Sequence, residues 1–310
     1  MDELSIEVTG LKKYFVGAKA VDGISFKVKS GSIYGMLGPN GAGKTTTIET
    51  LVGLYRRDGG RISVLGYDPE DDLDKIKKLI GVQLQSPSLF PRLTVKEMVN
   101  LFSSFYPQPM DPVEVINQVG LDSKENTQIR FLSGGQRHRL AVGLAMVSNG
   151  KIMFLDEPTT GLDPKARRQL WDVIKGLKNN GVTVFLTTHY MEEAEKLCDD
   201  LMIIDLGKVI VQGSPRELIK EFSQETAIEF SDPGLTDLSR KALEDRQLAA
   251  RVSYEVKEKR IILYTHNVPF TMKKLLDFGS DHKLAIDDIV VRRASLEDVF
   301  LKLTGRGIRE

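Results

Sequence analysis

The chain contains, at residues 38–45, the sequence Gly38-Pro39-Asn40-Gly41-Ala42-Gly43-Lys44-Thr45, which has the spacing of a loop that holds nucleotide phosphates. Gly38 and Gly43 allow backbone conformations that a Cβ atom would forbid, so that successive N–H groups can point inward at an anion. Lys44 adds a positive charge for the β- and γ-phosphates, and the Thr45 hydroxyl can bind Mg²⁺. The loop therefore predicts a cradle for phosphates.

The segments on either side predict the strand–loop–helix context that such a cradle needs. Before the loop, Ser32 to Leu37 is a short apolar run typical of a buried strand. After it, a helix through Thr46 and Val52 is predicted, with the positive end of its dipole at the phosphates. Because both neighbours fit, we interpret the loop as a binding site rather than as a glycine-rich turn.

The composition predicts a cytosolic protein with room for two domains. The chain has 310 residues, and its 43 Lys and Arg residues balance 43 Asp and Glu residues. Zero net charge offers no electrostatic attraction to nucleic acid, so no nucleic-acid partner is expected. No apolar run is long enough to span a bilayer, the first residues lack a signal-peptide pattern, and the one cysteine, Cys198, excludes an intrachain disulfide.

Strands and helices alternate through the first 221 residues. Residues 5–30 read as strands, 71–79 as a charged helix and 83–91 as a loop. Residues from about 92 to 145 read as mostly helical, and the α/β pattern resumes at residue 151. This alternation predicts an α/β domain, residues 1–221, with a mostly parallel sheet covered on both faces, antiparallel N-terminal strands and a helical subdomain.

Two helix starts within the helical region carry clear capping signals. Thr94 and Glu97 have the spacing of a capping box. Asp111 precedes Pro112, which suits an N-cap followed by proline at the first helical position, and Gly120 is placed to end that helix. Both signals predict helices that begin at Val95 and Pro112.

The organisation changes near residue 222, where a second, smaller domain is predicted over residues 222–310. Its pattern is strand, helix, two hairpin strands, helix, strand and closing helix. The segments are Thr226–Phe230, Thr236–Leu243, Arg251–Val256, Arg260–Thr265, Phe270–Phe278, Ala285–Val291 and Leu296–Leu303. This order, βαββαβ plus a helix, predicts an α+β ferredoxin-like domain.

Charged groups follow two of the predicted strands. Asp156 and Glu157 end the apolar run 151–155, at the edge of a parallel sheet where α/β proteins bind ligands. Asp156 is a candidate Mg²⁺ ligand beside Thr45, and Glu157 is a candidate base for an attacking water. Taken alone, the two carboxylates could equally cap the next loop. His189 ends the strand 183–188 and is a candidate sensor of the γ-phosphate.

A second phosphate-binding surface is predicted far along the chain. Residues 132–136 read Leu-Ser-Gly-Gly-Gln and open a helix. Ser133 and Gln136 fit a capping box, which is a purely structural alternative. Two glycines in a first helical turn are costly unless another group approaches the backbone closely, and an anion there would meet exposed N–H groups and the helix dipole.

Taken in this order, these motifs resemble the ATP-binding cassette (ABC) family, a P-loop NTPase family, over residues 5–220. Residues 38–45 match its Walker A loop, 132–136 its signature sequence, 153–157 its Walker B strand, and 161–163 look like its D-loop. His189 matches the switch histidine. Gln85 falls at the Q-loop position, with Gln83 as the alternative if the alignment shifts by two.

The resemblance implies ATP and Mg²⁺ as ligands and assigns roles residue by residue. An adenine-stacking aromatic is expected near the N-terminus, where Tyr14 fits the Lys-x-Tyr context and is preferred, while Phe15 better fits the spacing to Ala20. The implied catalytic residues are Glu157, His189, Lys44 and Gln85, and the implied metal ligands are Thr45, Gln85 and Asp156. The implied nucleotide-binding residues are Tyr14, Gly38, Pro39, Asn40, Gly41, Ala42, Gly43, Lys44, Thr45, Thr46, Ser133, Gly135, Gln136 and Asp163.

The resemblance also implies partners, since in the family the signature of one cassette closes over ATP held by another. The chain has one set of motifs, with every catalytic position intact, which favours a homodimer. The tail, residues 295–305, is similar to that of ATPase subunits of ABC-2-type exporters of drugs, lipids or polysaccharides. It implies a separate membrane permease gripped near Gln85, and a position at the inner face of the membrane.

One alternative is a non-transport ABC ATPase that acts on ribosomes or DNA. Such proteins usually carry tandem cassettes, long coiled coils or zinc-binding cysteines. The chain has one cassette, no heptad run and one cysteine. For the domain after residue 221 we expect a role in stabilising the dimer or regulating the cycle.

Overall fold

The computed structural model describes residues 3–85, 89–222, 225–231, 251–255, 260–282 and 286–304. It divides into two compact units, the first ending at Pro215 and the second beginning at Arg216. Each unit is described separately below. Within the described residues, no helix is both long and apolar enough to cross a membrane.

The first unit begins with a small antiparallel sheet. Its strands are β1 (Leu4–Phe15), β2 (Ala18–Lys29) and β4 (Gly59–Val64), in the order β2-β1-β4. Alternate residues of β2 are buried, as expected for a sheet with one face on the core. The antiparallel N-terminal strands predicted from the sequence are therefore present.

The main sheet of this unit has six strands and holds the site. They are β3 (Ile33–Leu37), β5 (Ile80–Gln83), β6 (Ile152–Asp156), β7 (Thr183–Thr188), β8 (Asp200–Asp205) and β9 (Lys208–Gly213). The order is β5-β6-β7-β3-β8-β9, parallel except for the last pair. The three central strands β6, β7 and β3 are buried at every position, as expected for a parallel sheet covered on both faces. Their carboxyl ends bring residues 38, 156 and 188 to one edge.

Seven helices are described in this unit, and an eighth starts at Pro215 and continues into the second unit. They are α1 (Lys44–Leu51), α2 (Leu73–Ile76), α3 (Val95–Ser103), α4 (Pro112–Gln118), α5 (Gly134–Met146), α6 (Pro164–Asn179), α7 (Met191–Leu197) and α8 (Pro215–Phe222). Both predicted capping signals are confirmed, because Thr94 and Glu97 form a full capping box and Asp111 accepts from the backbone N–H of Val113. Gly120 follows α4 with φ +62°, which suits a glycine that ends a helix.

Three elements differ from the sequence prediction. The charged segment 71–79 forms only the single turn α2, and its one buried helical residue is Ile76. Gln83 ends strand β5 rather than opening a loop. Strand β9 was missed, because its half-exposed alternation carries a weak apolar signal and it pairs antiparallel at the sheet's edge.

The second unit contains a four-stranded antiparallel sheet. Its strands are β10 (Thr226–Ser231), β11 (Arg251–Glu255), β12 (Arg260–Thr265) and β13 (Asp287–Arg293), in the order β11-β12-β10-β13. Its helices are α9 (Val268–His282) and α10 (Leu296–Thr304). Because β12 lies between β10 and β11, the arrangement is the split-βαβ order that was predicted. The helix predicted at Thr236–Leu243 lies outside the described residues.

Each face of this second sheet is buried in a different way. One face packs Ile228, Phe230 and Leu263 against Leu275 and Phe278 of α9 in an apolar cluster. The other face is tied to α10 by a buried polar network. Its members are Tyr264, whose hydroxyl donates to Asp298 (2.5 Å), and Arg292, whose guanidinium donates to both Asp298 and Glu229; Ser295 also donates to Asp298.

Candidate functional site

A cavity of about 550 Å³ opens in the first unit at the carboxyl edge of the main sheet. The turn between β1 and β2, the loop before α1, the loop after β5 and the end of β6 all contribute to it. It is lined by Phe15, Ala18, Lys19, Ala20, Asn40, Gly41, Gly43, Lys44, Thr45, Thr46, Gln85, Glu157 and Leu206. Residues predicted to bind phosphate and to catalyse thus meet in one place.

The loop before α1 needs glycine at its two predicted positions. Gly43, the N-cap of α1, has φ +102°, and a Cβ atom there would lie 2.2 Å from the carbonyl oxygen of Ala20. A Cβ atom on Gly38 would lie 2.4 Å from the carbonyl oxygen of Ile204. These contacts are too short for any side chain, so the loop can pack this closely only with glycine at both positions.

The Lys44 ammonium is buried at the bottom of the cavity, with 4% of the side chain exposed. It donates to the carbonyl oxygens of Gly38 (2.8 Å) and Pro39 (3.1 Å), and lies 2.9 Å from Glu157 Oε1. A buried ammonium needs a counter-charge, which Glu157 supplies here. The phosphates of a nucleotide would be an alternative counter-charge at the same place.

Asp156 and Thr45 form a compact set of oxygen atoms beside Lys44. The Thr45 hydroxyl donates to Asp156 Oδ2 (2.8 Å), and the Thr187 hydroxyl donates to Asp156 Oδ1 (2.5 Å). Burial raises the pKa of Asp156 above its ordinary value, although both hydroxyl hydrogen bonds act in the opposite direction. Hydroxyl and carboxylate oxygens are the ligands that Mg²⁺ prefers, so this donor set fits that ion together with phosphate oxygens.

Glu157 has a backbone conformation that turns its side chain back into the cavity. Its φ is +47°, which is unusual for a residue with a Cβ atom, and its N–H donates to the Thr187 hydroxyl (3.0 Å). Its carboxylate Oε2 lies 3.1 Å from His189 Nδ1 and accepts from Gln85 Nε2 at 3.5 Å. Strain of this kind is typical of functional sites, where the surrounding structure holds the residue in place.

Opposing effects set the charge of Glu157. Burial acts to raise the pKa of its carboxyl, but the hydrogen bond from His189 and the contacts with Lys44 outweigh it and lower the pKa to about 2. Glu157 is therefore ionised at neutral pH, the state in which a carboxylate can accept a proton from water. If Lys44 moved away from Glu157, the pKa of the Glu157 carboxyl would rise and its carboxylate would be a stronger base.

The two glutamines considered for the Q-loop position are separated by the fold. Gln85 lines the cavity and reaches Glu157. Gln83 is buried at the end of β5, with its amide donating to the carbonyl oxygen of Leu84 (2.7 Å). Gln85 is thus the one placed to contact a ligand.

The two aromatic candidates for stacking on a base are also separated. The Tyr14 hydroxyl donates to Asp22 (2.7 Å), and Tyr14 does not line the cavity. Phe15 lines it, is 43% exposed and packs edge-on against Tyr55, with 5.4 Å between ring centroids. Since successive strand residues point to opposite faces, only one of the two can face the cavity, and it is Phe15.

The signature residues lie outside this cavity. Ser133 is the exposed N-cap of α5; its hydroxyl accepts from the N–H of Gln136 (3.2 Å), and Gln136 Oε1 accepts from the N–H of Ser133 (2.9 Å). Gly135 follows in the first turn of α5. Asp163 is the exposed N-cap of α6 and accepts from two backbone N–H groups. The capping box is therefore real, and these residues do not line the cavity of their own chain.

Sequence reasoning missed several contributors to the site, among them Thr187 and Leu206. Thr187 holds both Asp156 and the backbone of Glu157 from the neighbouring strand β7. Leu206 lines the cavity from the turn after β8. In the sequence, the only signal for Thr187 is its position two residues before His189, near the end of a predicted strand. The structure adds that this strand, β7, pairs with β6.

Comparison with known proteins bears on the identity of this site. A family model described as ABC transporter matches residues 21–160. The Nod factor export ATP-binding protein I of Ralstonia nicotianae is 36% identical over 98% of this chain and 95% of its own. The linearmycin resistance ATP-binding protein LnrL of Bacillus subtilis is 33% identical over 98% and 100%. The daunorubicin/doxorubicin resistance ATP-binding protein DrrA of Streptomyces peucetius is 35% identical over 97% and 92%.

Among solved structures, the chain is also similar to ATP-binding cassettes. An ATP-binding cassette of an ABC transporter in its ADP conformation is 25% identical, with a TM-score of 0.63 over 71% of this chain and 94% of its own. A dimeric, post-hydrolysis cassette bound to ADP and Pi is 26% identical, with a TM-score of 0.62 over 67% and 98%. The resemblance and the fold predicted from the sequence are thus confirmed. The chain belongs to the ABC transporter family, as an ATP-binding subunit that hydrolyses ATP.

Proposed function

We propose that this chain is the ATPase subunit of an exporter, and that two copies of it close around two ATP molecules to drive a separate membrane permease. The relatives that it matches over nearly their whole length are named for export or drug resistance. The permease would hold it at the cytoplasmic face of the membrane. In this proposal the permease contacts the transported molecule and therefore sets which molecule is exported.

One observation carries the proposal of a homodimer. The cavity contains a phosphate cradle and the base Glu157, which His189 contacts. The helix starts that hold Ser133, Gly135, Gln136 and Asp163 lie outside it. A second copy can bring this missing half, because an isologous contact places the same surfaces against each other twice. Both halves are intact in one sequence, so no different cassette is needed.

The chemistry follows from the contacts of Lys44. When phosphates enter, they offer Lys44 a stronger counter-charge than Glu157, so the ion pair between these residues opens and the Glu157 carboxylate becomes free to accept a proton from water. His189, whose Nδ1 lies 3.1 Å from that carboxylate, would hold its orientation. Thr45, Asp156 and Gln85 would hold Mg²⁺, which neutralises charge on the β- and γ-phosphate oxygens when bound.

For the base of the nucleotide we propose Phe15 as the stacking residue, in place of Tyr14. Phe15 offers an exposed ring at the mouth of the cavity. Tyr14 is held by Asp22 on the other side of the strand. A flat apolar ring at this position suits an adenine, which binds through its π face.

For the permease we propose a groove of about 690 Å³ beside the Gln85 loop. Leu54 and Phe105 line it and are 58% and 67% exposed, and Leu84 and Tyr106 continue its apolar surface. Lys77 and Lys78 lie on its rim. An exposed apolar patch bordered by charge is typical of a protein–protein contact. Because Leu84 precedes Gln85, a partner bound there would be one residue from the catalytic cavity.

The test is sedimentation of Glu157→Gln with and without ATP and Mg²⁺. We expect ATP-dependent dimers, because the variant keeps the cradle and loses the base, so that ATP persists in the closed state. Lys44→Ala is the control and should remain monomeric, since it cannot hold the phosphates. A Glu157→Gln protein that binds ATP and stays monomeric would contradict the homodimer.

A further inference from the structure

The second unit presents an open sheet edge with an unusual surface. Among the described strands, β13 pairs with β10 alone and forms one end of the sheet. Three consecutive apolar residues of this strand, Ile289, Val290 and Val291, are 36%, 50% and 47% exposed. Natural proteins usually protect such edges with lysine, proline or a covering segment, because an open edge is a template for another strand.

The sequence of β13 is complementary to itself. It reads Asp287-Asp288-Ile289-Val290-Val291-Arg292-Arg293, with acid at one end, base at the other and β-branched residues between. In an antiparallel pair centred on Val290, residue 289 lies opposite 291, and the acidic residues 287 and 288, which a bulge shifts out of strict register, lie beside the basic residues 292 and 293 of the other strand. The acidic end of one strand then meets the basic end of the other. A parallel pair in register would place like charges together.

The charge available for such a pair is Arg293. Arg292 is already engaged by Glu229 and Asp298 inside the unit. Arg293 is exposed and forms no ion pair with any residue that the structure describes. A bulge near Asp288, which has φ +51°, interrupts the register with β10 at the acidic end and keeps the usable edge short. A contact of this size is weak alone and effective only between chains that already meet elsewhere.

We propose that β13 pairs with β13 of a second copy across a two-fold axis at Val290, joining the two sheets. This inference rests on the proposed pairing of two cassettes and adds a second contact between the same two copies. Symmetric contacts of this kind are isologous, as a two-fold dimer requires. The pair would add a second contact to the ATP-bound dimer and would cover the apolar edge.

Cysteine cross-linking of the full chain tests the register. Val290→Cys should form a disulfide-linked dimer, because each copy's residue 290 faces its equivalent at about 4.5–5.5 Å between Cβ atoms. Ile289→Cys and Val291→Cys should cross-link when mixed and far less when separate. The matched control is Leu276→Cys in α9, equally exposed at 49% and expected to stay monomeric. The native Cys198 is buried and should not interfere.

The outcomes separate this inference from the proposed function. If Glu157→Gln dimerises with ATP while Val290→Cys fails to cross-link with or without ATP, the strand pairing is wrong and the cassette dimer stands. If Val290→Cys cross-links while Glu157→Gln remains monomeric, the strand pairing stands and the cassette dimer is wrong. Equal cross-linking of Leu276→Cys and Val290→Cys would mean random collision and overturn the pairing.

A charge variant tests the antiparallel direction. In the Glu157→Gln background with ATP, Arg293→Asp should raise the dimer dissociation constant about tenfold or more, because a lost second contact removes the gain from linked binding. Arg293→Lys keeps the charge and should leave the constant within about twofold. Equal constants for the two variants would overturn the antiparallel assignment.

Discussion

The Glu157→Gln substitution should destabilise the first unit before any nucleotide is added. In this structure the Glu157 carboxylate is the counter-charge of Lys44 and also lies beside His189. The Lys44 and Glu157 side chains are each 4% exposed. A glutamine has nearly the same shape but no charge, so the substitution leaves the Lys44 ammonium buried without a counter-ion.

The magnitude follows from the pKa of Glu157, which falls from 4.5 to about 2 on folding. A difference of about 2.5 units corresponds to roughly 3 kcal/mol. Because the pKa is lowered in the folded state, this stabilisation is present above pH 4.5 and is lost as the pH falls toward 2. At pH 7 the variant should therefore lack about 3 kcal/mol of the free energy of unfolding, and the difference should narrow in acid.

Thermal unfolding at pH 7 measures the effect, followed by the fluorescence of Trp171. This is the one tryptophan of the chain, and it is buried in the first unit with its ring N–H donating to Glu193 (2.9 Å). A loss of about 3 kcal/mol should lower the melting temperature by roughly 6–12 °C for a unit of this size. The matched control is Glu192→Gln, which is exposed and should melt within about 2 °C of the native chain.

ATP with Mg²⁺ should reverse much of this loss. The phosphates supply Lys44 with a new counter-charge, and in the variant no ion pair has to open first, so ATP should raise its melting temperature more than that of the native chain. If Glu157→Gln and the native chain have the same melting temperature without nucleotide, the argument is refuted, because Lys44 would then not need Glu157 as its counter-charge.

Three further results are expected. Phe15→Ala should raise the KM for ATP about tenfold in a steady-state ATPase assay, whereas Tyr14→Phe should change it little; the opposite ranking would restore Tyr14 as the stacking residue. Gly43→Ala should abolish ATP binding in a fluorescent-nucleotide titration, since its Cβ atom would collide with a backbone carbonyl, and normal affinity would contradict the geometry. Asp298→Asn should destabilise the second unit by about 3 kcal/mol in urea, because Arg292 loses a buried counter-ion; an unchanged midpoint would show that the network adds nothing.

The cradle and its neighbours were predictable because their signals are local. Glycine at residues 38 and 43 reflects a steric demand of the loop itself, and the capping boxes at Thr94 and Ser133 span only four residues each. The apolar runs of β3, β6 and β7 are long enough to identify as buried strands. Such features need no knowledge of distant residues, and so they appear in the sequence directly.

Other features depended on contacts that a sequence does not show. The choice between Tyr14 and Phe15 turns on which face of β1 meets the cavity, and Asp22 settles it by binding the tyrosine hydroxyl. The role of Thr187 comes from the pairing of β6 with β7. Strand β5 is only four residues long, and the sequence reading assigned only its last residue, Gln83, to a loop. Its neighbour β6, which comes from far along the chain, pairs with it.

Residue type and spacing along the chain are enough to identify the chemical groups of this protein: the phosphate cradle, the acidic pair, the histidine and the signature, and with them the family. Each of these is a requirement on residue type at a fixed spacing. The fold, by contrast, was needed to see that Lys44 is paired with Glu157, that Gln85 rather than Gln83 reaches the cavity, and that Ser133 lies outside it. Those facts depend on how strands far apart in the chain align at one sheet edge, and packing sets that alignment.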